Sequence, residues 1–304
     1  MTRINSLLAA LLAGASMTIS GVTQAKPFSD MVEFSGALSD TGNYISTHEN
    51  DMPPPFVGGK TTNGMVAGEV VAEKLKLKVA TSMHLVGSAK GSNYAVRDAL
   101  AGGNGPDDLP AELDAYLKPR NGKADPDALY FVFNGGNDVI QAVMTPDDGK
   151  SEKILVDAVA GLQTAIHRLV NAGAKTLFVP DFVDIGLVPA MHSGPNAERA
   201  SRISNEYNKL FYAMLDRVQS EGNVDIIRWS FDRFFKETIK HGAELGFTNT
   251  TDSCMAKMKA GECDLDHFLY VNEVFPTARF HRLMGEEMVR TILNHNPAFS
   301  QASN

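Results

Sequence analysis

Short apolar runs alternate with longer amphipathic segments from residue 31 onward. Continuous apolar runs of the length of buried strands occupy Met31–Phe34, Ala128–Phe133, Thr176–Val179 and Val224–Trp229. Apolar positions with helical spacing occupy Met65–Leu77, Glu152–Ala172, Ala197–Gln219 and Thr277–Leu293. The order strand, helix, strand, helix predicts a mainly parallel sheet, because parallel neighbours need a crossover connection.

Residues at the ends of these segments support the helix predictions. Ser151 precedes the second helix and Gly173 follows it, Asn196 precedes the third, and Pro276 with Thr277 begins the last. Parallel sheets carry helices on both faces, and their crossovers are right-handed. We therefore expect a doubly wound, three-layer α/β/α fold.

Two Gly- and Pro-rich stretches, Pro53–Gly64 and Gly102–Pro110, predict loops, and no shift in composition marks a domain boundary. A single domain over residues 26–304 is expected. Ligands of doubly wound sheets bind beyond the carboxyl ends of the strands. The polar turns Ser35–Asn43 and Asn134–Asp138 follow two predicted strands, so we expect them to border the site.

The first 25 residues have the pattern of a secretory signal peptide. Arg3 precedes the apolar stretch Leu7–Ala15, and small residues lead to a predicted cleavage point near Ala25 and Lys26. The apolar stretch is shorter than the ~20 residues that a membrane-spanning helix requires. This pattern predicts export to the periplasm or the medium, with no stable membrane anchor.

Composition narrows the class of partner. The chain has 304 residues, 43% of them hydrophobic, and a formal charge of −8. Because nucleic acids are bound through clustered Lys and Arg, which this acidic chain lacks, no nucleic-acid partner is expected. Cys254 and Cys263 predict one disulfide in an oxidising compartment. Asp266 and His267 lie nearby without zinc-ligand spacing, so neither a metal nor a cofactor is predicted.

Four spaced blocks carry a recognisable signature. They read FSGALSDTGNY from Phe34, GSNYAVRDA from Gly91, FNGGND from Phe133, and CDLDHFLYVNEVFPTARFH from Cys263. Together with the segment PPFVGGKTTNG, they resemble, in order, the signature blocks of the SGNH or GDSL ester hydrolases. The resemblance extends from Phe34 to Met288 and implies the flavodoxin-like fold of that family.

The resemblance also implies a chemistry, which is acyl transfer to water. In the family a Ser attacks an ester carbonyl, a His accepts its proton, and an Asp orients the His. Backbone N–H groups of the Ser and a Gly, together with an Asn side chain, stabilise the oxyanion.

When these roles are assigned to this sequence by motif position, most of them fall on residues that cannot perform them. The nucleophile position is Ala37, the acid position Asn272 and the base position Phe275, while Asp98 replaces the oxyanion Gly. Of the family residues, Asn137 is retained. Loss of the nucleophile alone costs on the order of 10⁶ in kcat in a serine protease, so we expect an impaired or inactive hydrolase.

The expected ligand site comprises Asn137 with Gly136, and Asp98 with Arg97. The last two are expected to form a salt bridge or bind a ligand, or alternatively to face water. On this interpretation the protein is a pseudoenzyme that binds an ester, an acylated glycan, a lipid or a protein partner in the family cleft.

Two alternatives remain open from the sequence. In the first, displaced residues restore hydrolysis, with Ser39 or Ser35 as nucleophile and His281 or His267 as base. Ser39 equally fits a helix-capping role, and His281 a packing role within the last helix. In the second alternative, the protein has a structural or interaction role and the cleft is vestigial.

Overall fold

A computed structural model describes residues 27–48 and 52–296, so the predicted signal peptide at residues 1–25 lies outside the described part. Four parallel strands form the main sheet in the order β1-β2-β3-β4. Their bounds are β1 Met31–Ser35, β2 Leu129–Phe133, β3 Thr176–Pro180 and β4 Asp225–Trp229. All four agree with the predicted strands to within one residue at each end.

A further extended segment, residues 92–96, pairs with the free edge of β1. The backbone N–H groups of Tyr94 and Val96 donate to the carbonyls of Glu33 and Ser35 over 2.7 and 3.0 Å. The pairing is parallel. It places β1 inside the sheet, which explains why every residue of this strand is buried.

The helices cover both faces of the sheet. They are α1 Ala67–Lys74, α2 Leu109–Leu117, α3 Gly136–Met144, α4 Asp148–Ala172, α5 Pro189–His192, α6 Ala197–Ser220, α7 Phe231–Lys240, α8 Cys254–Lys257 and α9 Ala278–His295. Helix α1 packs against α9, whereas α2, α3 and α6 each pack against α4. The predicted three-layer, doubly wound fold is confirmed. Within the described ranges no helix is long and apolar enough to cross a membrane.

The predicted start of α4 is one turn too late. The helix begins at Asp148 because the Asp147 side chain accepts the N–H of Lys150 over 2.9 Å and so caps the helix. Ser151 therefore lies inside the helix, where its hydroxyl donates to the carbonyl of Ala142 over 2.8 Å. The sequence analysis identified Ser151 as the residue before the helix, whereas the structure uses Asp147 as the cap.

A small parallel ribbon lies outside the main sheet and was not predicted. It pairs β5 (Asn249–Ser253) with β6 (Phe268–Tyr270). Between these strands a disulfide joins Cys254 to Cys263, with the two Cα atoms 4.7 Å apart. The predicted pairing of the two cysteines is confirmed, and it closes the loop that leads into β6.

A buried carboxyl group links the sheet to α1. Glu33, in the middle of β1, is 1% exposed and accepts a hydrogen bond from the Asn93 amide over 3.0 Å. A Cβ atom at Gly68 of α1 would lie 2.5 Å from its Oε2, so glycine is required for this close approach. Burial raises the pKa of Glu33 to about 7.

Replacing Glu33 by Gln should weaken the pH dependence of stability. Because the folded-state pKa exceeds the ordinary value of 4.5, the contribution of Glu33 is fully present below 4.5 and is lost as pH rises through about 7. The loss amounts to roughly 3 kcal/mol, from 1.36 kcal/mol per pKa unit. Most of this loss falls between pH 5 and pH 8, so the difference in unfolding free energy between these two pH values, measured with urea, should be about 2 kcal/mol smaller in Glu33→Gln than in the wild type. Exposed Glu152→Gln is the control, and an unchanged pH difference in Glu33→Gln would contradict the assignment.

Candidate functional site

A cleft of about 160 Å³ lies at the carboxyl ends of the main-sheet strands. The turn after β1, the turn after β2 and the segment after residue 96 contribute to its wall, as the sequence predicted for the polar turns. Most of its lining is apolar, and large contributors are Leu38, Ile140, Phe182, Met191, Phe231 and Phe280. The structure brings Ala37, Arg97, Asp98, Gly136, Asn137 and Phe275 together at this cleft.

Ala37, at the position predicted for the nucleophile, lies in the turn that follows β1. The N–H groups of Ser39 and Asp40 both donate to the Gly36 carbonyl, over 3.1 and 3.2 Å. Between them and β1, Ala37 lines the cleft, and its carbonyl accepts a hydrogen bond from the Thr61 hydroxyl over 2.7 Å. The turn is intact, but the side chain it presents is a methyl group.

The carboxylate of Asp40 holds this turn to the adjoining segment. It accepts backbone N–H groups from Gly42, Asn43 and Tyr44 over 2.7 to 3.1 Å, and from Arg97 over 2.8 Å. Burial raises the pKa of Asp40, while these hydrogen bonds lower it. Asp40 therefore joins the turn after β1 directly to Arg97, the neighbour of Asp98 at the predicted oxyanion Gly position.

Asn137, in the first turn of α3, supports the same segment from the other side. Its amide nitrogen donates to the carbonyls of Arg97 and Ala99 over 2.9 and 2.8 Å. The preceding Gly135 adopts a φ of 108°, and a Cβ atom there would lie 2.0 Å from the Tyr207 hydroxyl. Both amide hydrogens of Asn137 are thus engaged within the protein, and an oxyanion would have to compete for them.

The two charged residues beside Asn137 differ in exposure. Arg97 is 9% exposed, and its guanidinium lies 4.6 Å from the centre of the Tyr44 ring. Asp98 is exposed. Burial, and then the nearby Asp98 carboxylate, raise the pKa of Tyr44. The predicted salt bridge between Arg97 and Asp98 does not form, and of the two side chains only Asp98 is exposed to water.

The base and acid positions have structural partners of their own. The Phe275 ring meets Phe56 edge to face, with ring centres 6.3 Å apart. The Asn272 side-chain oxygen accepts the N–H groups of Val274 and Phe275 over 3.0 and 2.7 Å. Asn272 thus caps the turn that presents Phe275 to the cleft, and neither residue supplies a group that can accept a proton from a nucleophile.

Ser35 and Ser39, the two candidate displaced nucleophiles, interact with groups other than histidine. The Ser35 hydroxyl donates to the carbonyl of Phe133 over 2.9 Å. Ser39 is 3% exposed, and its hydroxyl lies near the buried carboxyl group of Glu33, where it lowers the Glu33 pKa against the dominant effect of burial. Neither hydroxyl makes a hydrogen bond to His267 or His281 in the described structure.

The two displaced histidines lie in different environments. His281 is fully buried, and its Nδ1 accepts the N–H of Ala67 over 3.2 Å. Burial, with a smaller effect of Lys60, lowers the His281 pKa to about 3, so the ring is neutral. His267 is exposed and contacts Asp264 over 2.8 Å.

One buried acid near the cleft was missed by the sequence interpretation. Glu112 of α2 is 0% exposed and accepts the N–H of Ser35 over 3.1 Å, and burial raises its pKa well above the ordinary value. The sequence shows a glutamate in the predicted helical segment LPAELDAYL. It does not show that this glutamate faces the sheet, because so short a segment does not define which side of the helix is buried. Across the described ranges, no group of three or more His, Cys, Asp or Glu residues could hold a metal ion.

Comparison with known proteins identifies the family. The family model for GDSL-like Lipase/Acylhydrolase matches residues 35–288, and the chain belongs to this family. Lipase 1 of Photorhabdus luminescens is 23% identical over 92% of this chain and 52% of its own length. Esterase EstA of Pseudomonas aeruginosa is 27% identical over 93% of this chain and 49% of its own length. The chain therefore spans about half the length of these two relatives.

A third relative and a solved structure extend the comparison. Phosphatidylcholine-sterol acyltransferase of Aeromonas hydrophila is 26% identical over 80% of this chain and 70% of its own length. The crystal structure of a catalytic mutant of Axe2, an acetylxylan esterase from Geobacillus stearothermophilus, matches with a TM-score of 0.50. It is 13% identical and covers 90% of this chain and 95% of the Axe2 chain. This last likeness supports the fold.

Replacing Asn137 by Ala should destabilise the protein. The change leaves two carbonyls of the 97–99 segment without their donor, and each unsatisfied buried group costs about 1–3 kcal/mol. Urea unfolding should report a loss of that order. Asn223→Ala, in an exposed turn, is the control, and equal stability of the two variants would contradict a supporting role for Asn137.

Proposed function

We propose that this protein is a non-hydrolytic member of its family, which binds an ester, an acylated glycan or a lipid in the cleft without cleaving it. The observation that carries the proposal is the pair of side chains at the reaction centre. Ala37 presents a methyl group at the nucleophile position, and Phe275 packs against Phe56 at the base position. Neither side chain can take part in proton transfer or nucleophilic attack.

The ligand class is proposed from two features. The cleft is lined largely by aliphatic and aromatic side chains, which suits the hydrocarbon part of an acylated molecule. The curated relatives are named as a lipase, an esterase and an acyltransferase, all of which handle acyl groups. These names describe the relatives, and the transfer of their ligand class to this chain is part of the proposal.

Hydrolysis by displaced residues receives no support from the geometry. A working pair needs a nucleophile within hydrogen-bond reach of its base, at about 2.6–3.2 Å. Ser35 donates to a backbone carbonyl, and the Nδ1 of buried His281 accepts the Ala67 N–H. The low pKa of His281 also makes it a poor base near neutral pH.

We also propose that the protein is exported. The residue pattern at positions 1–25 is that of a signal peptide, and the disulfide between Cys254 and Cys263 suits an oxidising compartment.

Restoring the family residues should create activity that the wild type lacks. Wild-type protein should neither turn over p-nitrophenyl acetate nor react with a fluorophosphonate probe. The triple variant Ala37→Ser, Asn272→Asp, Phe275→His should do both, because it regains nucleophile, orienting acid and base. Its gain over the double variant Asn272→Asp, Phe275→His, which lacks the nucleophile, has an upper bound of about 10⁶.

Two other outcomes would count against the proposal or modify it. Wild-type turnover that Ser39→Ala or Ser35→Ala abolishes would establish a displaced nucleophile and overturn the proposal. A folded triple variant without activity would argue that Asp98 disables the oxyanion site, and adding Asp98→Gly to the triple variant tests that explanation.

A further inference from the structure

Six aromatic side chains that line the cleft also contact one another, and we call this set the ring wall. Its members come from the end of β2, the segment after β3, α7, β6 and α9. They are Phe133, Phe182, Phe231, Phe235, Tyr270 and Phe280. Five different segments of the chain thus bring rings to one cleft.

Phe231, the first residue of α7, is the centre of the ring wall. Its ring centre lies between 5.6 and 6.4 Å from the ring centres of four other members, which are Phe133, Phe182, Phe235 and Phe280. The Phe235 ring extends the set to Tyr270, at 6.5 Å. Most of these pairs meet edge to face, which is a favoured geometry for aromatic rings.

Phe182 connects the ring wall to the position predicted for oxyanion binding. A Cβ atom at Gly136, the residue before Asn137, would lie 2.5 Å from the Phe182 ring. Glycine is therefore needed for the ring to lie against the first turn of α3. Phe182 is half-buried, whereas the other five rings are buried, so it is the member with exposed ring surface.

The volume of the cleft suits a single ring. It is about 160 Å³, and an apolar cavity of about 150 Å³ engineered into another protein binds benzene. A flat aromatic group that enters beside the ring wall can meet these side chains in the same edge-to-face geometry that they adopt among themselves.

The charged residues of the lining favour a neutral ligand. Arg97 and Asp98 are consecutive, and Asp98 is the exposed one. The guanidinium of Arg97 lies over the Tyr44 ring, which is not part of the cleft lining. An exposed carboxylate at the cleft repels an anion, so the free acid is disfavoured relative to its ester.

We propose that the cleft binds a neutral ester of an aromatic acid, with one aromatic ring of the acyl group against the ring wall. This inference rests on the proposed function, since it takes the cleft as a binding site for an acylated molecule. It specifies the acyl group as aromatic in preference to aliphatic. The ring lies next to Phe182, and the ester group points towards the first turn of α3.

The test compares methyl benzoate with methyl cyclohexanecarboxylate on purified full-length protein by isothermal titration calorimetry. The two neutral esters have rings of six carbons and differ in aromaticity. Hydrophobic burial alone gives methyl benzoate no advantage, because the saturated ring has at least as much apolar surface. Wild-type protein should nevertheless bind methyl benzoate about two- to tenfold more tightly, as expected for one favourable aromatic pair. Benzoate, which carries the same ring and a negative charge, should bind more weakly than methyl benzoate.

Two variants locate the preference. Phe182→Leu should bind the two esters with similar affinity, because it keeps an apolar side chain and removes the ring. Phe234→Leu is the matched control, since Phe234 is also half-buried and lies 5.6 Å from the Phe280 ring but is not part of the cleft lining. Phe234→Leu should retain the wild-type preference for methyl benzoate.

The inference is overturned if wild-type protein binds the cyclohexyl ester as tightly as methyl benzoate, binds neither ester, or prefers benzoate. It is also overturned if folded Phe182→Leu keeps the full preference, because a flat shape alone would then explain it. Should that variant fail to fold, the three probes on wild-type protein still decide. Liquid chromatography of the methyl benzoate samples separates this result from the proposed function. Release of benzoate by wild-type protein would contradict the proposed function and leave the preference for an aromatic acyl group intact.

Discussion

The carboxylate of Asp40 is the constraint on which the cleft depends. Its hydrogen bonds to Gly42, Asn43 and Tyr44 fix the turn after β1, and its hydrogen bond to the Arg97 N–H ties that turn to the end of the adjoining 92–96 segment. A buried carboxylate is tolerated only when it is well satisfied, and four N–H donors satisfy this one. The relative position of two cleft walls is thereby set by one side chain.

Amide side chains complete the same framework. Asn43 donates to the carbonyls of Asn93 and Ala95, and Asn137 donates to those of Arg97 and Ala99. None of these hydrogen bonds involves the side chain of Ala37 or Phe275. The framework therefore does not depend on the side chains at those two positions, whereas the Asn137 amide is part of it.

The side chains at the positions predicted for nucleophile and base fit this framework without disturbing it. Ala37 keeps the backbone of its turn, since the Thr61 hydroxyl and the Gly36 carbonyl make the contacts there. Phe275 fills its position with an aromatic contact to Phe56. The cleft is therefore apolar around Ala37 and Phe275, while Arg97 and Asp98 contribute one residue of each charge to its lining.

The strand-end rule predicted that the turns with Ala37 and Asn137 border one site, because the carboxyl ends of parallel strands share one edge of the sheet. The family resemblance assigned Asp98 and Phe275 to the same cleft, and all four residues line it. The partners of each side chain could not be predicted. The burial of Arg97 and the inward donation by Asn137 depend on distances between segments far apart in the chain.

The sequence by itself determined the layered fold, the strand and helix segments and the residue types at the motif positions, because hydrophobic periodicity and residue type are local properties. Only the tertiary structure decided that residues 92–96 extend the sheet, that Glu33 is buried against Gly68, and that Arg97 is buried while Asp98 is exposed. These features depend on contacts between segments far apart in the chain. The contacts, and the exclusion of water from them, form only when those segments pack together.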